Sequence, residues 1–146
     1  MIAYLYAGKY SREVAGMVLV DPGSKYLKTS LRPGKWQKFV RKAKQLAKPK
    51  ALEAVDYGRS VDEIRAAPPV PRVPAVVLTS DHPFNFGVGT RHTWRAWVAA
   101  QDRLAAHLHA KHITHTNSGH YIAGEQPRLV VGQVRAVVRA VRDQTP

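Results

Sequence analysis

Seven histidines, ten acidic residues and no cysteine bound the chemistry open to this 146-residue chain. Without thiols there is no disulfide framework, no thiolate metal site and no cysteine nucleophile. His120 stands in the turn Asn117-Ser118-Gly119-His120-Tyr121, after the short β-branched stretch 112–116. Imidazole titrates near neutrality and suits proton transfer. A turn that follows a strand lies where open α/β sheets bind ligands, at the carboxyl ends of the strands. Two carboxylates share that kind of position: Asp21 ends the apolar run 14–20, and Asp81 follows the apolar run 75–79. Each also has a plain reading, Asp21 as a turn residue ahead of Pro22-Gly23 and Asp81 as an Asx turn before Pro83. Ser24 and Ser80 lie near strand ends, but neither has the glycine-flanked turn that exposes a nucleophile. His107, His109, His112 and His115 crowd one region. The first two are spaced i, i+2 on a helix and do not share a face, and the last two differ in strand parity. They read as scattered surface histidines, with no metal and no cofactor implied.

The elements that must position these residues alternate. A helix is expected over 4–10, with no cap residue before it. Residues 14–20 and 75–79 read as parallel strands buried on both faces. Between them, Trp36, Phe39, Val40, Ala43 and Leu46 recur at helical spacing after Pro33-Gly34. A second helical piece is expected over 51–57, and Ser60 with Glu63 has the spacing of a capping box opening a short helix. Proline-dense residues 68–74 form an extended linker. Trp94, Trp97, Val98, Gln101, Leu104, Ala105 and Leu108 mark an amphipathic helix, residues 112–116 a short strand. Pro127 opens a last helix with Leu129, Val130, Val131, Val134, Val137, Val138 and Val141 inward. Strands alternating with helices predict an α/β layered sheet with right-handed crossovers.

With this order laid out, the chain resembles the α/β-hydrolase family. The stretch Tyr6-Ala7-Gly8-Lys9-Tyr10-Ser11-Arg12-Glu13-Val14-Ala15-Gly16-Met17-Val18-Leu19-Val20-Asp21 is similar to the segment after that family's nucleophile turn. Ser118-Gly119-His120-Tyr121-Ile122, followed by Glu125-Gln126-Pro127, is similar to its catalytic-histidine loop and last helix. The resemblance runs from Ile2 to about Val141 and covers the basic stretch least well. It implies a partial α/β-hydrolase fold: about three parallel strands flanked by helices, with a lid-like helical insert over 22–72. It implies a serine hydrolase acting on an ester or related bond of a small apolar substrate, with His120 as general base. The acid stays open between Asp21 and Asp81. The family most often places its acid after the second of these strands, where alignment on Pro-Phe puts His82 and leaves Asp81 one residue early. Some members place it after the earlier strand, the position of Asp21, which is slightly preferred. The family's nucleophile sits in a G-x-S-x-G turn, and no such turn exists in this sequence. The expectation is therefore the C-terminal portion of a hydrolase, a truncated form with little or no activity alone. A complementing N-terminal half, or self-association through an exposed sheet edge, is the partner this implies.

Lys and Arg number 23 against 10 Asp and Glu, a formal charge of +13. Residues 24–50 carry much of it without one acid. As a lid, this stretch would turn Trp36, Phe39 and Leu46 to the site and its lysines to water. The alternative function is a non-catalytic basic protein that binds polyanions, nucleic acid or anionic membrane, through residues 25–50. No apolar run approaches the ~20 residues that span a bilayer. No glycine-rich phosphate loop is present. The start lacks a basic leader region, and the lack of cysteine fits a reducing, cytoplasmic setting.

Overall fold

In the computed structural model, which describes residues 1–47, 56–83 and 91–144, the apolar runs form a parallel sheet. Strand β1 is Met17–Val20, β2 is Ala75–Leu78 and β3 is Lys111–Ile113, in the order β1-β2-β3. Met17 pairs with Ala75 and Val20 with Leu78; Val76 pairs with Lys111 and Leu78 with Ile113. Helix α1 is Ile2–Lys9, α2 Tyr26–Ser30, α3 Pro33–Ala47, α4 Tyr57–Ala66, α5 Arg91–His107, α6 Ile122–Glu125 and α7 Pro127–Arg142. The fold is mixed α/β.

Strand parity sorts the core into two layers. Met17, Leu19, Ala75 and Val77 face one side and pack with Tyr4 and Ala7 of α1, Ile64 of α4, and Leu104 and Ala105 of α5. Val76 and Leu78 face the other side and meet Ile122 and Val137. Helices α2, α3 and α4 all lie between β1 and β2 in sequence. They form a core of their own against α5, built from Leu27, Leu31, Trp36, Phe39, Val61 and Trp97.

Several expectations are corrected. Only the last four residues of 14–20 form a strand, because β2 begins at Ala75 and offers residues 14–16 no ladder. Strand β1 is not buried on both faces: it alternates buried and half-buried, since it pairs on one side only, with β2. The central strand β2 is buried at all four positions. Strand β3 stops at Ile113 rather than residue 116. The cap of α4 is Asp56, whose carboxylate accepts from Arg59 N at 3.1 Å, so Ser60 lies inside the helix instead of opening it. Of the expected helical piece over 51–57, residues 51–55 lie outside the described residues. In α7, Val137 is buried, but Val131, Val134 and Val138 are exposed. The sheet is too narrow to cover an apolar face that wide. Trp36 and Phe39 are consumed by packing in the insert's core; the Leu46 side chain lies outside what the structure describes.

Candidate acid–base site

Strand β1 delivers the carboxylate. Asp21 N continues the ladder by donating to Leu78 O at 2.8 Å. Asp21 then takes φ 42°, a left-handed conformation that Asp tolerates better than most residues. The chain turns at once into Pro22-Gly23, and the side chain is buried at the strand end, 1 % exposed. A buried carboxylate needs hydrogen bonds on both oxygens. Its Oδ1 accepts from Ser80 N at 3.1 Å and from the Trp97 indole N–H at 3.0 Å. Its Oδ2 lies 2.7 Å from Nδ1 of His120. A carboxylate only accepts, so Nδ1 carries the proton and Nε2 is the basic nitrogen of the neutral ring. The edge of the Trp97 ring system flanks the imidazole at 6.2 Å between centroids, and Tyr121 flanks it at 5.6 Å. The imidazole side chain is 42 % exposed, and that of Asp21 is closed from solvent. An acid inside and an imidazole at the surface is the order an orienting carboxylate and a working base require.

The turn carrying His120 is held from below. Asp81 accepts from Asn117 N and Ser118 N, both at 2.9 Å. The Ser118 carbonyl accepts in return from Asp81 N and His82 N. Ser118 Oγ donates to Glu125 Oε2 at 2.9 Å, and Gly119 N donates to the same oxygen at 3.0 Å. Burial opposes the charge on Asp81, but the Ser118 and Asn117 N–H groups and nearby His82 outweigh it and hold its pKa below the ordinary carboxylate range. Of the two candidate acids, the structure therefore brings Asp21 to His120 and gives Asp81 to the backbone of the histidine loop. His82 lies beside Asp81, its Nε2 3.8 Å from Oδ1.

Three groups at the site had no functional reading in the sequence. Trp97 looked like one more apolar residue of α5, yet its N–H fixes Asp21. Gln101, one turn on, donates to Pro22 O at 2.7 Å and is buried. Their i, i+4 spacing on one face of α5, with a polar atom on each, is the signal in the sequence that sets them apart and that the helical pattern alone passed over. Tyr57 of α4 is the third. Burial, and then the charge of Asp21, push its phenol pKa up.

A second acid–imidazole pair, this one extended to a hydroxyl, serves as contrast. Thr79 Oγ1 lies 2.8 Å from His112 Nε2, and His112 Nδ1 lies 3.2 Å from Asp102 Oδ1. Here the order of burial is inverted. The Asp102 side chain is 59 % exposed, whereas Thr79 is 1 % exposed. No substrate reaches that hydroxyl, so this arrangement ties β2 and β3 to α5. His107 is likewise engaged, with its Nε2 3.0 Å from the Tyr4 hydroxyl. Among the described residues no group of three or more His, Asp or Glu is placed to hold a metal ion. No helix among them is long and apolar enough to cross a membrane.

The basic stretch is divided by the fold. Lys28 pairs with Asp62 at 3.1 Å, and Lys25 lies over the rings of Tyr4 and Tyr26. Lys35, Lys38, Arg41 and Lys44 stay on the exposed side of α3. Compared with protein-family models, curated proteins and solved structures, the chain matches none.

Proposed function

We propose that this chain carries the acid–base half of an α/β-hydrolase-type relay that cleaves an ester or a related bond of a small apolar substrate. The observation that carries the reading is the 2.7 Å contact between His120 Nδ1 and a fully buried Asp21 whose other oxygen is held by two N–H donors. In the relay, an attacking hydroxyl adds to the carbonyl carbon and its proton passes to His120 Nε2. The tetrahedral intermediate collapses and the same proton goes to the departing alkoxide. Water then repeats the sequence on the acyl intermediate. Asp21 stays ionised throughout, keeps the ring in the Nδ1–H tautomer and stabilises the imidazolium that forms. Both residues sit at the carboxyl ends of parallel strands, as the resemblance implies. The attacking hydroxyl is not supplied by the serines near the site. Ser118 Oγ is bonded to Glu125, Ser24 Oγ contacts Ala100 O, and Ser80 Oγ is buried.

The coding DNA immediately upstream provides the test. Where it encodes a G-x-S-x-G turn in any frame, the joined chain is assayed on p-nitrophenyl butyrate. Turnover is expected, falling about a thousandfold or more in His120→Ala and in Asp21→Asn. The reading fails if no such turn is encoded, if the joined chain is inert, or if turnover survives both substitutions.

A further inference from the structure

Where the end of α2 and the start of α3 meet α5, a concave surface lies apart from His120. A groove of about 330 Å³ runs there, rimmed by Arg32 and Lys35 on one side and His92 and Arg95 on the other. Its floor includes Leu31 and Ala96, both buried. His92, Arg95 and Ala96 recur at i, i+3 and i+4, so one face of α5 supplies a whole wall. Arg32 and Lys35 flank the first turn of α3, where the carbonyl of Arg32 accepts from Lys35 N and Trp36 N. Among the described residues no carboxylate lines the groove. Among the described residues none of the three permanent cations on its rim has an acidic partner within ion-pair distance. Two nearby cations are used differently: Lys28 is neutralised by Asp62 and Arg59 by Glu63.

Uncompensated like charges gathered on a concave surface repel one another, and that cost is recovered when an anion enters. Two guanidinium groups suit one kind of anion best, because their forked donors match the oxygens of a phosphate. The apolar floor suits a ligand with an apolar body behind that group. We infer that the Arg32–Lys35–His92–Arg95 groove binds the phosphate group of a small amphipathic phosphate ester. Trp97, the donor to Asp21, lies on the same helix two residues beyond Arg95. The groove and the acid–base site thus share α5 without sharing a residue.

Calorimetric titration of the full chain with phenyl phosphate at low salt tests the groove. Vesicles of phosphatidylcholine doped with phosphatidic acid, tested in parallel by sedimentation, separate a soluble ester from a lipid headgroup. Binding in either arm is expected to weaken about tenfold or more in R32Q/R95Q. It is expected to stay within about twofold in K38Q/K44Q, which removes the same charge from the exposed side of α3. Circular dichroism melts establish that both variants fold. Absence of binding in both arms overturns the inference. So does equal loss in the two variants, which makes the effect one of net charge. Duplex oligonucleotide binding that survives R32Q/R95Q, with no response to phenyl phosphate, overturns it in favour of diffuse polyanion attraction.

Discussion

His120 Nδ1 and Asp21 Oδ2 meet at 2.7 Å across 99 positions of sequence. The contact joins the end of β1 to the loop after β3. It passes over the end of β2, and Ser80, two residues beyond that strand, also bonds Asp21. All three strand ends therefore converge on one carboxylate, and α5 closes the set through Trp97.

Trp97→Phe removes one donor from a buried acceptor and keeps an aromatic ring in place. The expected loss is about 2 kcal/mol of unfolding free energy, read as a lower urea midpoint at unchanged slope. In the parent protein the Nδ1 proton of His120 is expected as a far-downfield resonance in the proton NMR spectrum. Asp21→Asn abolishes it. A resonance unaffected by that substitution contradicts the pairing.

Asp81→Asn has a different signature. Two N–H groups of the histidine loop lose a charged acceptor, at an expected cost of about 1–2 kcal/mol. The downfield proton persists, because Asp81 does not touch His120. With its folded pKa held below the unfolded value, Asp81 contributes stability that is present above about pH 4 and is lost as pH falls through the folded value. The stabilities of parent and D81N should therefore lie apart above that point and converge below it, as Asp81 is protonated.

Between pH 7.5 and 5.5 two other groups set the slope. Burial lowers the pKa of His107, with Lys25 and His109 adding to it. Burial also lowers that of His112, against the opposing pull of Asp102. Below about pH 6.5 the unfolded chain takes up protons that the folded chain resists, so stability falls as the solution is acidified. H107Q/H112Q should flatten the curve of urea midpoint against pH over that range. An unchanged curve assigns the slope elsewhere.

Gly8→Ala sets two effects against each other. Helix propensity favours alanine by about 1 kcal/mol. A Cβ at Gly8, however, lies 2.6 Å from the backbone oxygen of Pro68, which cannot step aside as a side chain can. Overpacking of this kind costs about 1–3 kcal/mol, so the clash is expected to win, and thermal melting should show a lower midpoint.

The purified chain alone should hydrolyse p-nitrophenyl butyrate no faster than buffer, because no serine is positioned to attack. Measurable turnover that disappears in His120→Ala would mean that the chain supplies its own hydroxyl.

Much of the frame was legible in one dimension. The runs ending at Val20 and Thr79 are too short and too apolar for helices, and the helical spacing between them requires crossovers, so a parallel sheet follows from pattern alone. Strand lengths were overestimated because a strand ends where its neighbour ends, and register lies outside the local pattern. The inward face of α7 was overestimated for a related reason: Val131, Val134 and Val138 are apolar, but only sheet width decides what is covered.

The amino-acid order by itself determined that a histidine turn and two carboxylates would stand at strand ends, since apolar runs stop at those residues and turn chemistry begins. It left the acid open between Asp21 and Asp81, which look alike locally, with only a slight preference for Asp21 from the resemblance. That choice was tertiary. The left-handed turn at Asp21, the Ser80 amide and the Trp97 indole come from distant parts of the chain, and together they make one carboxylate a buried partner for His120. The histidine loop's own N–H groups claimed the other.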